Sequence, residues 1–411
     1  MLNSSWTADH GRQKARRRVA GAVGLAIAAG AVLAACPVAH AADSGSAQPV
    51  KSAAAAAPTV RELTPAVQAR LDRAIKHELR RSKATGVMVG LWKPGRDYVR
   101  AFGTAGKGTR APMSTGFNMR VGSVTKTFTI TALLQLVDQK KVRLDDPIAK
   151  YVRGVPQGHR ITLRQLAEMR SGLLNYMADE EYQKVVTADP NHHFTRDELL
   201  AYSFKHGLQS EPGTKFHYSN TNTLLIGKVV EKVSGESIDR FVKRHVIRPA
   251  HLRHTFSPKR NEFPAPHARG YTNQTPDQSI VDATHWDPSS NNEAGDMIST
   301  MSDLRRWAPM VVRGDLLKPA TQKERMRTVP VGIPGLGYGL GVMDNHGWIG
   351  HNGGLPGYTT VMVHLPSADA TLVVHANSDV YTKGKQTATW VAKAVTDIVS
   401  PRNVYDLPAA S

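Results

Sequence analysis

Apolar positions along the chain follow two kinds of order. Thr64-Pro65 places a hydroxyl cap before a proline at the first helical position, and Val67, Leu71, Ile75 and Leu79 then recur at four-residue spacing, which predicts an amphipathic helix. Residues 87–92 and 98–102 are apolar, β-rich runs on either side of Lys93-Pro94-Gly95-Arg96, which predicts a hairpin. The far end carries similar signals. Residues 358–365 and 371–376 are β-rich runs joined by Pro366-Ser367-Ala368-Asp369-Ala370, and Val391, Ala394, Val395, Ile398 and Val399 mark a closing helix. Between the ends the pattern is mostly helical, at 128–137, 163–169, 222–233, 238–247 and 302–312. The simplest closed arrangement is an α+β fold: an antiparallel sheet formed by the N- and C-terminal parts, flanked by helices, with a mostly helical subdomain inserted between them.

The first 60 residues do not fit that body. A basic run ending at Arg18 is followed by seventeen residues, Val19 to Ala35, that are all Ala, Gly, Val, Leu or Ile, and then by Ala39-His40-Ala41, a small-x-small site. Residues 1–41 therefore read as an export signal, and 42–60, rich in Ala, Ser, Gly and Pro, as a flexible linker. The folded domain is expected over 61–400, with 401–411 as a C-terminal tail. The single cysteine, Cys36, lies in the signal, so no disulfide framework can stabilise the domain. Leu33-Ala34-Ala35-Cys36 also has the form of a lipid-attachment site; Pro37 directly after it favours cleavage at Ala41 and a secreted or envelope-retained protein.

Charge narrows the partners. The chain carries a formal +19, of which residues 1–41 account for +4, so the basic excess belongs to the domain. Such a field attracts polyanions; for an exported protein these are cell-wall or envelope surfaces rather than nucleic acid.

Three short motifs carry candidate chemistry. Ser123-Val124-Thr125-Lys126 follows Gly122 and opens an apolar helical pattern, so the serine hydroxyl and the lysine amine lie one turn apart on one face, at a helix N-terminus that favours a developing oxyanion. Tyr218-Ser219-Asn220 precedes a second helical pattern. His351-Asn352-Gly353-Gly354 precedes the strand at 358–365.

Taken in this order, the three motifs resemble those of the serine β-lactamase and penicillin-binding protein family, and are most similar to low-molecular-mass D-alanyl-D-alanine carboxypeptidases and class C β-lactamases. Further stretches fit the resemblance: residues 120–128, Leu144-Asp145-Asp146-Pro147, residues 161–166 with Ser171-Gly172-Leu173, Gly337-Tyr338-Gly339-Leu340-Gly341, and residues 350–358. It implies an acyl-enzyme on Ser123, with Lys126 and Tyr218 relaying the proton and the choice of primary base left open. It also implies that His351 polarises Tyr218 and helps position substrate. Asn220 would hold the acyl-side amide, and the N–H groups of Ser123 and Gly354, beside Asn352 and Gly353, would bind substrate and oxyanion. No metal or organic cofactor is implied. Unperturbed lysine is almost wholly protonated at neutral pH, and making it a base there requires about 4.6 kcal/mol of differential stabilisation.

The implied substrate is a cell-wall peptide, with an ester, a D-amino-acid amide or a β-lactam as alternatives, and β-lactams as acylating ligands. A domain that binds or senses such ligands without turnover is the reading from a different class. His351 stands where β-lactamases have lysine, which favours the peptidase or esterase. Asn352 stands where a hydroxyl commonly meets a substrate carboxylate, and no arginine occurs between Arg327 and Arg402. A free carboxylate needs a cationic or multi-donor seat, for which His351, His346, Asn352 or a lysine are the candidates. The remaining histidines show no metal-ligand spacing, and His364 and His375 read as strand packing.

Overall fold

The computed structural model describes residues 60–409. The expected export signal, Cys36 and all of the linker except Val60 lie outside the described residues. Helix α1 (Pro65–Arg81) starts where the Thr64 hydroxyl accepts from Val67 N, and buries Leu71 and Ile75. Strands β1 (Gly86–Lys93) and β2 (Arg96–Gly103) form the hairpin, and β3 (Asn118–Arg120) leads through a 3₁₀ turn at Gly122–Val124 into α2 (Thr125–Asp138). The helical part contains α3 (Leu163–Ala167), α4 (Glu180–Ala188), α5 (Arg196–Phe204), α6 (Asn220–Ser234) and α7 (Ile238–Val242), the last continued by a π turn at Lys243–Ile247. Then come β4 (Tyr271–Thr272), β5 (Val281–Asp282), β6 (Ile298–Thr300), α8 (Met301–Arg313) and α9 (Pro319–Arg325). The chain closes with β7 (Val329–Pro330), β8 (Leu336–Tyr338), β9 (Met343–Asn345), β10 (Trp348–Leu355), β11 (Tyr358–Leu365), β12 (Ala370–Ala376) and α10 (Thr387–Val399).

The main sheet is antiparallel in the order β2-β1-β12-β11-β10-β9-β8-β7, so the two ends of the domain meet at the β1–β12 pair, with Val89 opposite Val374. Its short outer strands β7, β8 and β9 were not legible in the apolar pattern, because two- or three-residue strands contain no full period. Both faces are covered, and this explains why β11 and β12 read as continuous apolar runs. Val361, Val363, Leu372 and Val374 enter one core with α1 and α10, whereas Met362, Tyr358 and Val373 enter the larger core beneath α2, α6 and α8.

The segment expected as a tail is part of the body. Tyr405 is 1% exposed in the α1–α10 core, Asn403 O accepts from Trp348 Nε1 at 2.7 Å, and Asn345 pairs with the Asp406 backbone in both directions. Lys385 adds an ion pair to Asp406. At the other end Arg61 N donates to Val399 O at 2.7 Å. The physical cause is Trp348, whose indole N–H points out of the core and needs an acceptor.

Tyr405→Ala is therefore expected to destabilise the domain by about 3 kcal/mol, read as a Tm drop of several degrees in thermal denaturation. Tyr405→Phe should cost nothing, because the buried hydroxyl has no hydrogen-bond partner. An unchanged Tm for the alanine variant would place residues 401–409 outside the cooperative unit.

Candidate active site

The site begins with the threonines of α2. Thr125 Oγ1 accepts from Met297 N at 3.2 Å, Thr129 Oγ1 donates to Glu293 O at 2.8 Å, and Trp307 Nε1 donates to Thr127 Oγ1 at 2.8 Å while its ring stacks on Phe128. These bonds fasten residues 293–297 along the helix, which places the carbonyl of Ala294 beside Lys126.

Lys126 is fully buried. Its Nζ lies 3.0 Å from Ser123 Oγ, 2.6 Å from Asn220 Oδ1 and 2.7 Å from Ala294 O. Desolvation holds its pKa well below the usual 10.5. The two amide oxygens can only accept, so a neutral amine keeps both its N–H groups on Asn220 and Ala294, and its lone pair is left facing the serine hydroxyl. Among the described residues no carboxylate contacts the amine to favour its charged form.

Asn220 is thus committed to Lys126 through Oδ1, and its Nδ2 donates to Met177 Sδ at 3.1 Å. This differs from the role of holding the substrate amide, because a buried amine surrounded by oxygens takes the strongest acceptor available. A network behind it sets its position: Asn220 N donates to Asn175 Oδ1, Thr221 Oγ1 to Leu174 O, and Ser171 Oγ to Asn222 Oδ1. These bonds tie the Ser171-Gly172-Leu173 stretch to the Tyr218-Ser219-Asn220 motif.

Tyr218 presents its ring 5.0 Å from Lys126 Nζ. Its hydroxyl is buried without a formed hydrogen bond. Burial raises its pKa, and the nearby Ser123 side chain offsets only part of that. The phenol therefore stays protonated, with an unused O–H.

His351 joins the group, with its ring centroid 6.1 Å from that of Tyr218, but makes no hydrogen bond to it. Its Nδ1 faces Asn352 O and its Nε2 lies 2.9 Å from Tyr338 Oη. A carbonyl only accepts, so Nδ1 carries the proton and Nε2 accepts from Tyr338. Burial pushes the imidazole pKa down to about 3, with the bond to Asn352 O opposing. The expected polarisation of Tyr218 by His351 is not made, because both ring nitrogens are already spent. Tyr338 was legible only as part of a structural glycine-rich segment. The Ala294 carbonyl, being backbone, left no sequence signal.

Glycines bring β10 onto the serine turn. A Cβ on Gly353 would lie 2.0 Å from Val121 O and 2.8 Å from Ser123 N, and one on Gly122, at φ +53°, would lie 2.6 Å from Gly354 N. The Pro356-Gly357 turn makes Leu355 and Tyr358 the closing pair of the β10–β11 hairpin. Alternation along the ladder then directs the Gly354 N–H off the open edge of β10, towards the serine turn. The Ser123 N–H, in the first turn of its helix, has no intrahelical acceptor. Asn352 alternates to the face opposite His351 and Gly353 and stays partly exposed, and Gly354 backs onto the Gln386 side chain. Among the described residues no three His, Cys, Asp or Glu side chains gather closely enough to hold a metal ion. His364 and His375 are buried on Thr371 and Thr360, as strand packing requires.

Lys126→Arg should lower kcat/KM by at least about 10³-fold across the neutral range, since a guanidinium cannot give up its proton. A comparable loss is expected for Gly353→Ala, with the far-ultraviolet circular dichroism retained. Activity within tenfold of wild type in either variant would contradict this geometry.

Comparison with known proteins agrees with this arrangement. The Beta-lactamase family model matches residues 71–396. Penicillin-binding protein 4* of Bacillus subtilis (strain 168) is 27% identical over 340 residues, covering 76% of this chain and 72% of its own length. Protein flp of Staphylococcus aureus (strain N315) is 25% identical over 328 residues and 77% of this chain, which spans only 64% of that protein's length. Among solved structures, a D-stereospecific amidohydrolase from Streptomyces sp. superposes with a TM-score of 0.70 at 29% identity, covering 76% of this chain and 94% of that one. The D-amino acid amidase of Ochrobactrum anthropi SV3 gives 0.69 at 26% identity, covering 82% and 96%. A family match spanning most of the domain, on a fold that brings the serine and lysine at the start of α2 together with the tyrosine before α6, means that this chain belongs to the Beta-lactamase family of serine hydrolases.

Proposed function

We propose that the chain is an exported acyl-transfer hydrolase that cleaves amide, peptide or ester bonds of D-configured acyl donors through a covalent ester on Ser123. The observation that carries this is the placement of Lys126 Nζ, 3.0 Å from Ser123 Oγ with its two other polar contacts on acceptors. As Ser123 Oγ attacks the carbonyl carbon, its proton passes to the neutral amine of Lys126. The carbonyl oxygen takes the negative charge against the N–H groups of Ser123 and Gly354, where losing one donor typically costs about 3 kcal/mol. Tyr218 O–H protonates the leaving nitrogen or oxygen as the bond to carbon breaks, and regains a proton from Lys126. Water then attacks the acyl ester, gives its proton to the same relay, and Ser123 departs reprotonated. These steps use side chains and backbone alone. Lys126 is favoured over Tyr218 as first base, since its Nζ lies on Ser123 Oγ and burial leaves the amine free of its extra proton while keeping the phenol protonated.

An uncharged leaving group suits this pocket. His351 is neutral with both nitrogens engaged. Arg120 donates through Nη2 to Thr284 O and Trp286 O, Arg325 through Nη2 to Thr127 O, and both residues are buried, so neither is open to a substrate carboxylate. The likeness to a D-stereospecific amidohydrolase and to a D-amino acid amidase supports D-amino-acid amides as donors. The D-alanyl-D-alanine carboxypeptidase reading retains support from the likeness to penicillin-binding protein 4*, with β-lactams as acylating ligands.

The test is hydrolysis of D- and L-amino-acid amides, p-nitrophenyl esters and a diacyl-D-Ala-D-Ala peptide, together with intact-mass analysis after a labelled β-lactam. Expected are D-selective turnover, an adduct on Ser123, and a loss of at least about 10³-fold in Ser123→Ala. Full activity in that variant contradicts the proposal, and a stoichiometric burst without turnover would favour a sensing domain.

Retention at an anionic envelope surface is proposed as well. Exposed Arg70, Arg73, His77 and Arg80, with Lys76, line a surface groove on α1, and their spacing puts like charges along one side of the helix, where they repel. The acids of α1 are occupied elsewhere, Glu78 with Arg81 and Asp72 with the Tyr98 hydroxyl. Replacing Arg70, Arg73 and Arg80 together by Gln should abolish salt-sensitive co-sedimentation with phosphatidylglycerol vesicles while phosphatidylcholine remains unbound. Equal binding by the variant would remove α1 from the interaction.

A further inference from the structure

The Gly337-Tyr338-Gly339-Leu340-Gly341 segment fits the family resemblance as a structural stretch, and the structure brings Tyr338 against His351. Its hydroxyl lies 2.9 Å from Nε2, the two rings are perpendicular, and both residues are no more than 1% exposed. Near Tyr338 is the buried guanidinium of Arg325, which has no carboxylate partner among the described residues, donates to Thr127 O at 3.0 Å, and draws the phenol towards acidity against the larger effect of burial. The direction of every proton follows. Tyr338 O–H donates to Nε2, Nδ1–H donates to Asn352 O, and Arg325 makes the phenol a better donor. His351 is left with no donor for the cleft.

We infer that Tyr338 is a positioning residue that locks His351 as a neutral imidazole, and thereby sets this site against acyl donors ending in a free carboxylate and in favour of those ending in an uncharged amide or ester. This rests on the acyl-transfer reading above and names the side of the substrate that it leaves open. A substrate carboxylate needs a donor, and the nearest imidazole could supply one only by giving up Tyr338 and taking a proton on Nε2. The groups facing that ring oppose this. Lys126 from α2 and Tyr218 before α6 offer no carboxylate to hold an imidazolium, and Tyr338 from β8, backed by Arg325 of α9, occupies the nitrogen itself.

The experiment compares N-acetyl-D-alanyl-D-alanine with its C-terminal amide, two substrates that share a scissile bond and differ only in terminal charge. Wild type is expected to favour the amide. In Tyr338→Phe the imidazole is free to turn Nε2 to the cleft, take a proton there from solvent and donate it to the carboxylate, so the amide-to-acid ratio of kcat/KM should fall by about tenfold or more, chiefly through a lower KM for the acid. A folded Tyr338→Phe protein with an unchanged ratio, or a wild type that prefers the acid, overturns the inference. Should Tyr338→Phe fail to fold, ¹⁵N-histidine spectra of the wild type decide, with the His351 signals identified by their loss in His351→Gln. A neutral ring protonated on Nδ1 at neutral pH supports the inference, and an imidazolium or an Nε2-protonated ring overturns it. Hydrolysis that persists in Ser123→Ala would instead bring down the acyl-transfer reading on which it rests.

Discussion

A lysine amine enclosed by the protein, with oxygen acceptors on two sides and a serine hydroxyl on the third, is the constraint on which the rest of the site depends. Taking an ammonium out of water costs several kcal/mol unless a counter-charge repays it. None touches Lys126, whose polar contacts are Ser123 Oγ, Asn220 Oδ1 and Ala294 O. The cheapest response is to release a proton. That release turns the most basic side chain of the site into an acceptor aimed at the least acidic one, and the same burial keeps the Tyr218 phenol protonated and His351 neutral. Burial thus favours the neutral form of all three groups at once.

The fold maintains this enclosure through contacts that tolerate little change. The threonines of α2 fix the 293–297 segment along the helix and so aim a backbone carbonyl at the amine. The network from Ser171 to Asn222 aims the Asn220 amide. Gly353 and Gly122 let the edge of β10 approach the serine turn more closely than any side chain would allow. The sheet explains why β10 can do so: it lies between the long central strands and three short outer ones, and beyond Gly350 its outer edge is unpaired.

The α+β plan, the joining of both chain ends in one sheet, and the long helices were legible because each has a full apolar period on which to be read. α1 and its Thr64 cap are the clearest instance, and the two- and three-residue outer strands the clearest omission. Within the site, the residue types and spacing of Ser123, Lys126, Tyr218 and His351 were legible, and the structure brings all four together. The directions of their hydrogen bonds were not. Asn220 turned to the lysine, and His351 to Tyr338, because burial makes unsatisfied polar atoms costly and each takes the nearest complementary partner. Such choices depend on neighbours distant in sequence, such as Ala294 and Arg325, that no local motif contains. The last residues looked like a tail because they are short, polar and without period, and only the Trp348 indole shows why they are held.

Substrate choice then becomes a question of charge balance in a pocket with no counter-ion to spare. The proposed preference for acyl donors with uncharged ends rests on a site that keeps its cations neutral or turned away. The measurement that bears most directly on this is a ¹³C or ¹⁵N NMR titration of the Lys126 side chain in the folded protein, with its signal assigned by loss in Lys126→Met. The expected result is an amine that loses its proton well below 10.5, with the midpoint returning to the ordinary value on unfolding. A Lys126 that titrates near 10.5 in the folded state would contradict the enclosure from which the whole mechanism is derived.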